Sequence, residues 1–151
     1  MKRIVLGTML FFGLFFALWG CQEATTLPPE TPAYLQLVIV DSTTARYEEY
    51  DSSDELISTD TFTYTDDDSL LEVLQTITTV YCQGSDGNPD DTCSFQGTYG
   101  YYVVGIGPLR AFADNQFISF YINGDFAMTG IGDTELTVGA TYKFSVDTFL
   151  M

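Results

Sequence analysis

Apolar and polar positions alternate along much of this chain, and the period of the alternation changes once. Tyr34-Leu35-Gln36-Leu37-Val38-Ile39-Val40 is rich in aliphatic and β-branched side chains and predicts a strand ended by Asp41 and Ser42. Residues 42–57 are polar and acidic, with Tyr47 and Tyr50 as the sizeable apolar groups, and read as a loop or an irregular hairpin extension. Thr61-Phe62-Thr63-Tyr64-Thr65 alternates hydroxyl and aromatic groups, the period of a half-buried strand.

The period then becomes helical. Ser69-Leu70-Leu71-Glu72 is a capping box, and Asp66, Asp67 and Asp68 stand where the positive end of a helix dipole favours carboxylates. Leu70, Leu71, Leu74, Ile77 and Tyr81 form one apolar stripe that faces a core. Thr76, Thr78 and Thr79 weaken helix propensity, so the helix stops near residue 80. Period two returns in the strand Gly100–Gly107 before Pro108, and again in Phe117–Ile122. Asn123-Gly124 follows at once and signals a tight hairpin, because both residues tolerate positive φ. Strands are also expected at Asp125–Met128, Glu135–Val138 and Tyr142–Val146. One helix packed on a mixed β-sheet is an α+β arrangement.

The N-terminus has a different pattern. Met1-Lys2-Arg3 precedes a run without charge from Ile4 to Trp19, shorter than the roughly twenty residues of a membrane span and organised like a signal peptide. Leu18-Trp19-Gly20-Cys21 resembles the lipobox of bacterial lipoproteins, with Trp19 as a departure from its small residue. The resemblance implies that residues 1–20 are a cleaved leader and that Cys21 carries the diacylglycerol and acyl (palmitate-type) anchor. Residues 21–33, with Pro28, Pro29 and Pro32, then form an extended tether. Tyr34–Met151 is left as one domain.

Charge and cysteine content narrow the function. All 21 acidic residues lie after Cys21, whereas two of the five basic residues, Lys2 and Arg3, leave with the leader; three against 21 gives a formal charge of −18. Such a surface repels nucleic acid and anionic headgroups, so membrane attachment falls to the anchor. The charge serves solubility first; cation binding is the alternative. Cys82 and Cys93, eleven residues apart in an exported chain, read as a disulfide closing a short loop.

Four segments in order, Asp68–Leu74, Gly100–Gly107, Tyr121-Ile122-Asn123-Gly124 and Thr134–Gly139, resemble the transcobalamin C-terminal-like domains of bacteria, a family with a β-grasp-like fold. Gly139-Ala140 replaces the usual Gly-Asp turn, Phe117 stands where Trp is common, and the disulfide loop is an insertion. The resemblance covers most of residues 34–148. It implies a surface or exported protein, and it raises corrinoid binding as a role, because the related vertebrate domain closes over a corrinoid held by a helical domain that this chain lacks.

The chain has no histidine, so the common acid–base and nucleophile constellations cannot be assembled, and no enzyme is expected. A pair of carboxylates could still make a hydrolase, but no spacing selects one. Asp86, Asn88 and Asp90 alternate like the start of a calcium loop, although Asp91 and Gly97 stand where that loop wants Gly and Glu; the alternative is a plain turn. Tyr101, Tyr102, Phe117, Phe120, Tyr121 and Asn123 are the candidate ligand-binding residues, because alternation sends some of these aromatics outward; the alternative is that they pack under the helix. The expected role is a membrane-anchored, extracytoplasmic, non-catalytic binding module in the cell envelope, with a protein or small molecule as partner. A corrinoid-binding accessory subunit is the alternative, and a carboxylate-based hydrolase the third reading.

Overall fold

A computed structural model describes residues 30–149. The expected leader, Cys21 and most of the expected tether lie outside the described residues.

Among the described residues, ten strands form two sheets and are joined by one α-helix. The larger has six strands: β1 (Tyr34–Ile39), β2 (Thr44–Tyr50), β3 (Leu56–Thr63), β8 (Gln116–Ile122), β9 (Asp125–Phe126) and β10 (Thr141–Thr148), in the order β3-β2-β1-β10-β8-β9. The smaller has β4 (Val80–Gln83), β5 (Pro89–Asp90), β6 (Val103–Ile106) and β7 (Leu109–Arg110), in the order β5-β4-β6-β7. Every described pairing is antiparallel. The α+β class is as expected, but the single mixed sheet is replaced by two antiparallel ones. Short connections account for five of these pairings, β1–β2, β2–β3, β4–β5, β6–β7 and β8–β9, because strands joined by a short turn run in opposite directions.

Residues 42–57 are not a loop, since they hold β2. Ala45 and Tyr47 point into the core while Arg46, Glu48 and Tyr50 share the opposite face, where Arg46 and Tyr50 donate to a buried Glu48. The polar half of that alternation hid the strand. Nor does residues 135–138 form a strand; only Glu135 bridges, to Ser69, after a short 3-10 turn at Ile131–Asp133. Tyr142 holds this segment instead, its hydroxyl donating to the Glu135 carbonyl at 3.1 Å and accepting from the Thr137 amide at 3.0 Å.

The helix α1 (Leu70–Ile77) carries the expected capping box. The Glu72 amide donates to Ser69 Oγ, and the Glu72 carboxylate accepts from the Ser69 amide at 2.8 Å. The stripe ends earlier than expected, however. Thr76 Oγ1 donates to the Glu72 and Val73 carbonyls, competing with the backbone, and Thr78 is already extended at φ −151°. Tyr81 therefore belongs to β4.

Leu70, Leu71, Val73 and Leu74 join one core with Leu35, Leu37, Ile39, Tyr142, Phe144, Val80, Val103 and Ile106. Asn123 (φ 53°) and Gly124 (φ 90°) make the expected turn with both residues at positive φ. Side chains alternate along β8, so Phe120 enters the core and Tyr121 leaves it. No described helix is long and apolar enough to cross a membrane.

Candidate functional site

The inner face of the small sheet, with Val80, Cys82 and Ile106, closes the core. Its other face carries Tyr81, Gln83, Tyr102, Val104, Arg110 and Phe112, and here a cleft of about 350 Å³ opens between the small sheet, the 111–116 segment and the C-terminal end. Three aromatic residues on its walls remain half-exposed: Tyr102 (49%), Phe112 (47%) and Phe149 (53%). Gln83, Asp114 and Gln116 add hydrogen-bonding groups.

Backbone bonds fix these walls. The Gln83 amide donates to the Tyr102 carbonyl at 2.8 Å, and the Ala111 amide to the Val104 carbonyl at 2.8 Å. The Phe149 amide donates to the Asn115 carbonyl at 2.8 Å, pinning the segment after β10 to the rim. Phe149 also stacks on Phe117, centroids 4.5 Å apart. Gly105 lets Arg110 and Phe112 pack close to β6: a Cβ there would lie 3.3 Å from both Arg110 Cδ and Phe112 Cε1. The Arg110 guanidinium covers the Tyr81 ring at 4.4 Å and stands 5.8 Å from the Phe112 centroid. Tyr81 meets Phe112 edge-on at 5.5 Å. The cation thus packs on Tyr81 behind Phe112, the one of these rings that lines the cleft, and is itself held on an apolar surface.

The candidate ligand residues do not converge. Tyr102 lines the cleft, and Phe117 adjoins it through Phe149. Phe120 is buried, stacked on Phe144 with centroids 5.2 Å apart, and is a core residue and not a ligand contact. Tyr101 packs towards Gly132 and the N-terminal turn of α1. Tyr121 meets Phe126 on the outer face of the large sheet. Asn123 is spent on its hairpin, Oδ1 accepting from the Thr141 amide at 2.9 Å. Phe112, Phe149 and Arg110 escaped the sequence reading, although Arg110 is one of only three cations beyond residue 21 and lies two positions from Phe112.

The acidic loop is a turn. Asp86 accepts from the Asn88 amide at 3.0 Å and from Asn88 Nδ2 at 2.8 Å. Asp90 accepts from the amides and hydroxyls of Thr92 and Ser94, at 2.7–3.0 Å. Those bonds hold its carboxyl well below the usual range. Its oxygens already serve the loop, and no group of three or more His, Cys, Asp or Glu among the described residues is placed to hold a metal. Asp86, Asn88 and Asp90 thus sit together on one turn, where Asp86 and Asp90 accept hydrogen bonds from the loop itself. Cys82 and Cys93 are bridged, with Cα atoms 4.9 Å apart, so the loop is tied to β4 beside the cleft.

A second hollow, of about 710 Å³, lies between residues 96–100 and 128–133. It is wider and more open to solvent, and the exposed Tyr99 and Met128 flank it together with Gln96, Thr98, Thr129 and Asp133. The smaller cleft is therefore the better candidate.

No curated protein and no solved structure matches the chain. One family model matches residues 67–147, a segment that begins just before α1, runs through the small sheet and ends in β10. With more than half its length matched, this chain belongs to that family, described as a domain of unknown function (DUF4430).

Proposed function

We propose that the protein is a lipid-anchored, extracytoplasmic module of the bacterial cell envelope that binds a ligand and does no chemistry on it. The observation that carries this reading is the gathering of Tyr102, Phe112 and Phe149, all half-exposed, around one cleft. The exposed lining of this cleft is more polar than apolar, with the three rings set among Gln83, Asp114 and Gln116, and converging aromatic and hydrogen-bonding groups in a concave site mark a place for a small ligand. The walls suit a molecule with a flat apolar face and a hydrogen-bonding edge, and the acidic surface favours a neutral or cationic one over an anion.

The four segments that resemble transcobalamin C-terminal-like domains all fall within residues 67–147. That overlap supports keeping a β-grasp-like kinship within the proposal, together with its alternative: a corrinoid as the ligand, shared with a partner subunit. A carboxylate-based hydrolase draws on no geometry at the cleft, where Asp114 is its single acid.

Two measurements test the reading. Mass spectrometry of the exported N-terminus should find a diacylglyceryl adduct on Cys21, and Cys21→Ser should release the protein or leave its precursor uncut; unmodified Met1 in membranes would refute the anchor. Visible-absorption titration with cyanocobalamin separates the ligand readings. Saturable uptake by the parent chain that is lost in Phe112→Ser assigns the corrinoid, and no uptake leaves a different neutral ligand or a protein partner.

A further inference from the structure

The larger sheet ends on β3, whose partner is β2; no described strand pairs with its other side. β9 at the opposite end and β5 and β7 at the ends of the small sheet are two residues long, whereas β3 has eight. β8 is covered by β9 only at Tyr121 and Ile122, which leaves a shorter stretch open, so β3 is the longest free strand edge among the described residues, and most of its side chains are exposed.

The register shows which backbone groups are free. The Tyr64 amide donates to the Thr43 carbonyl at 2.9 Å, in line with the pairing Thr44↔Thr63. Antiparallel ladders alternate, so Phe62 and Asp60 also turn their backbone towards β2. Thr59, Thr61 and Thr63 turn theirs away. Their amides and carbonyls form a ladder ready for another strand.

Charge states what kind of strand it is. Asp51, Asp54 and Glu55 precede β3, Asp60 lies within it, Asp66, Asp67 and Asp68 follow it, and no Lys or Arg occurs from Tyr47 to Leu109. The nearest cation, Arg46 on β2, is closed onto Glu48 at 2.6 Å. Antiparallel pairing of two copies through β3 would set the acids at one end against those at the other, so the edge repels itself. An extended segment with basic ends would meet opposite charge at both.

The geometry points to β3 as a docking edge for an extended basic peptide segment of a partner protein, added as a seventh strand through the backbone of Thr59, Thr61 and Thr63. This surface is separate from the aromatic cleft and does not depend on what the cleft binds.

The probe is a synthetic peptide with an eight-residue core of alternating valine and threonine and two lysines at each end; a companion has glutamates there. Each is titrated into the ¹⁵N-labelled full chain while amide shifts and hydrogen exchange are read. The lysine-ended peptide should shift and protect the amides of Thr59, Thr61 and Thr63, bind at least about tenfold more tightly than its companion, and weaken with added salt. Thr61→Pro, which removes an outward amide without removing a bond to β2, should abolish binding, and Thr61→Val should keep it. If Thr61→Pro fails to fold, the parent chain's amide map still decides. Equal binding of the two peptides, shifts elsewhere, or no saturable binding would overturn the proposal. So would protection of these amides in the peptide-free chain, whether by a second copy or by its own N-terminal segment.

Discussion

The Arg110 guanidinium lies over the ring of Tyr81, its central carbon 4.4 Å from the ring centroid. The contact exists because α1 stops at Ile77 and delivers Tyr81 to β4, on the face opposite the core. Replacing Arg110 by Gln keeps a polar group of similar reach and removes the cation. It should lower stability by about 0.5–2 kcal/mol, read as a drop in the denaturant midpoint, and free Phe112 to turn, read as narrowed aromatic NMR lines. An unchanged midpoint would show that the stack contributes nothing.

Leu74 is fully buried on α1 within the common core. Leu74→Ala should cost roughly 2–5 kcal/mol, the span for a buried leucine, measured by chemical denaturation. A melting temperature equal to the parent's would mean that the helix does not close the core.

Gly107 and Gly87 both have positive φ, 52° and 82°, but different surroundings. A Cβ on Gly107 would lie 2.9 Å from both Thr78 Oγ1 and Tyr47 Oη, whereas one on Gly87 would meet nothing within 4 Å. Gly107→Ala should therefore destabilise by about 1–3 kcal/mol more than Gly87→Ala, the range for overpacking. Comparing the two melts separates crowding from the shared cost of positive φ.

The Asp90 carboxylate sets a pH dependence. Hydrogen bonds from the Thr92 and Ser94 side chains, then from their amides, hold its pKa below the ordinary 3.8. In the unfolded chain the group takes up its proton near that ordinary value, and in the folded chain only at lower pH. Its contribution is therefore present above 3.8 and is lost as pH falls towards the folded value. Thermal melts should show a shallower acid-side decline in Asp90→Asn than in the parent, and identical slopes would contradict the assignment.

The elements legible in the sequence were those with one strong local cause. The Ser69–Glu72 capping box and the Asn123-Gly124 turn are set by neighbouring residues, and both stand where they were expected. β2 is not legible in the sequence because its second face holds Arg46, Glu48 and Tyr50, and their polarity masks an alternation set by tertiary pairing. Helical spacing alone does not exclude Tyr81 from the helix; the threonines at 76, 78 and 79 end it at Ile77. At the cleft, Tyr102 was legible as an exposed aromatic. Phe112 and Phe149 join it only through bonds between distant segments, such as the Phe149 amide to the Asn115 carbonyl, and no local pattern reports these.

The central claim is that the cleft is a binding site, and amide-shift mapping of the full chain with three neutral probes tests it most directly. Phenol, N-acetylglucosamine and cyanocobalamin offer an aromatic ring, a polar ring with an apolar face, and a large flat macrocycle. At least one should produce saturable shifts at Gln83, Tyr102, Val104, residues 111–116 and Phe149, and those shifts should vanish in the folded Tyr102→Ser, Phe112→Ser double variant. Cleft amides that stay unmoved by all three probes at millimolar concentration, or shifts that persist in the double variant, would contradict the account.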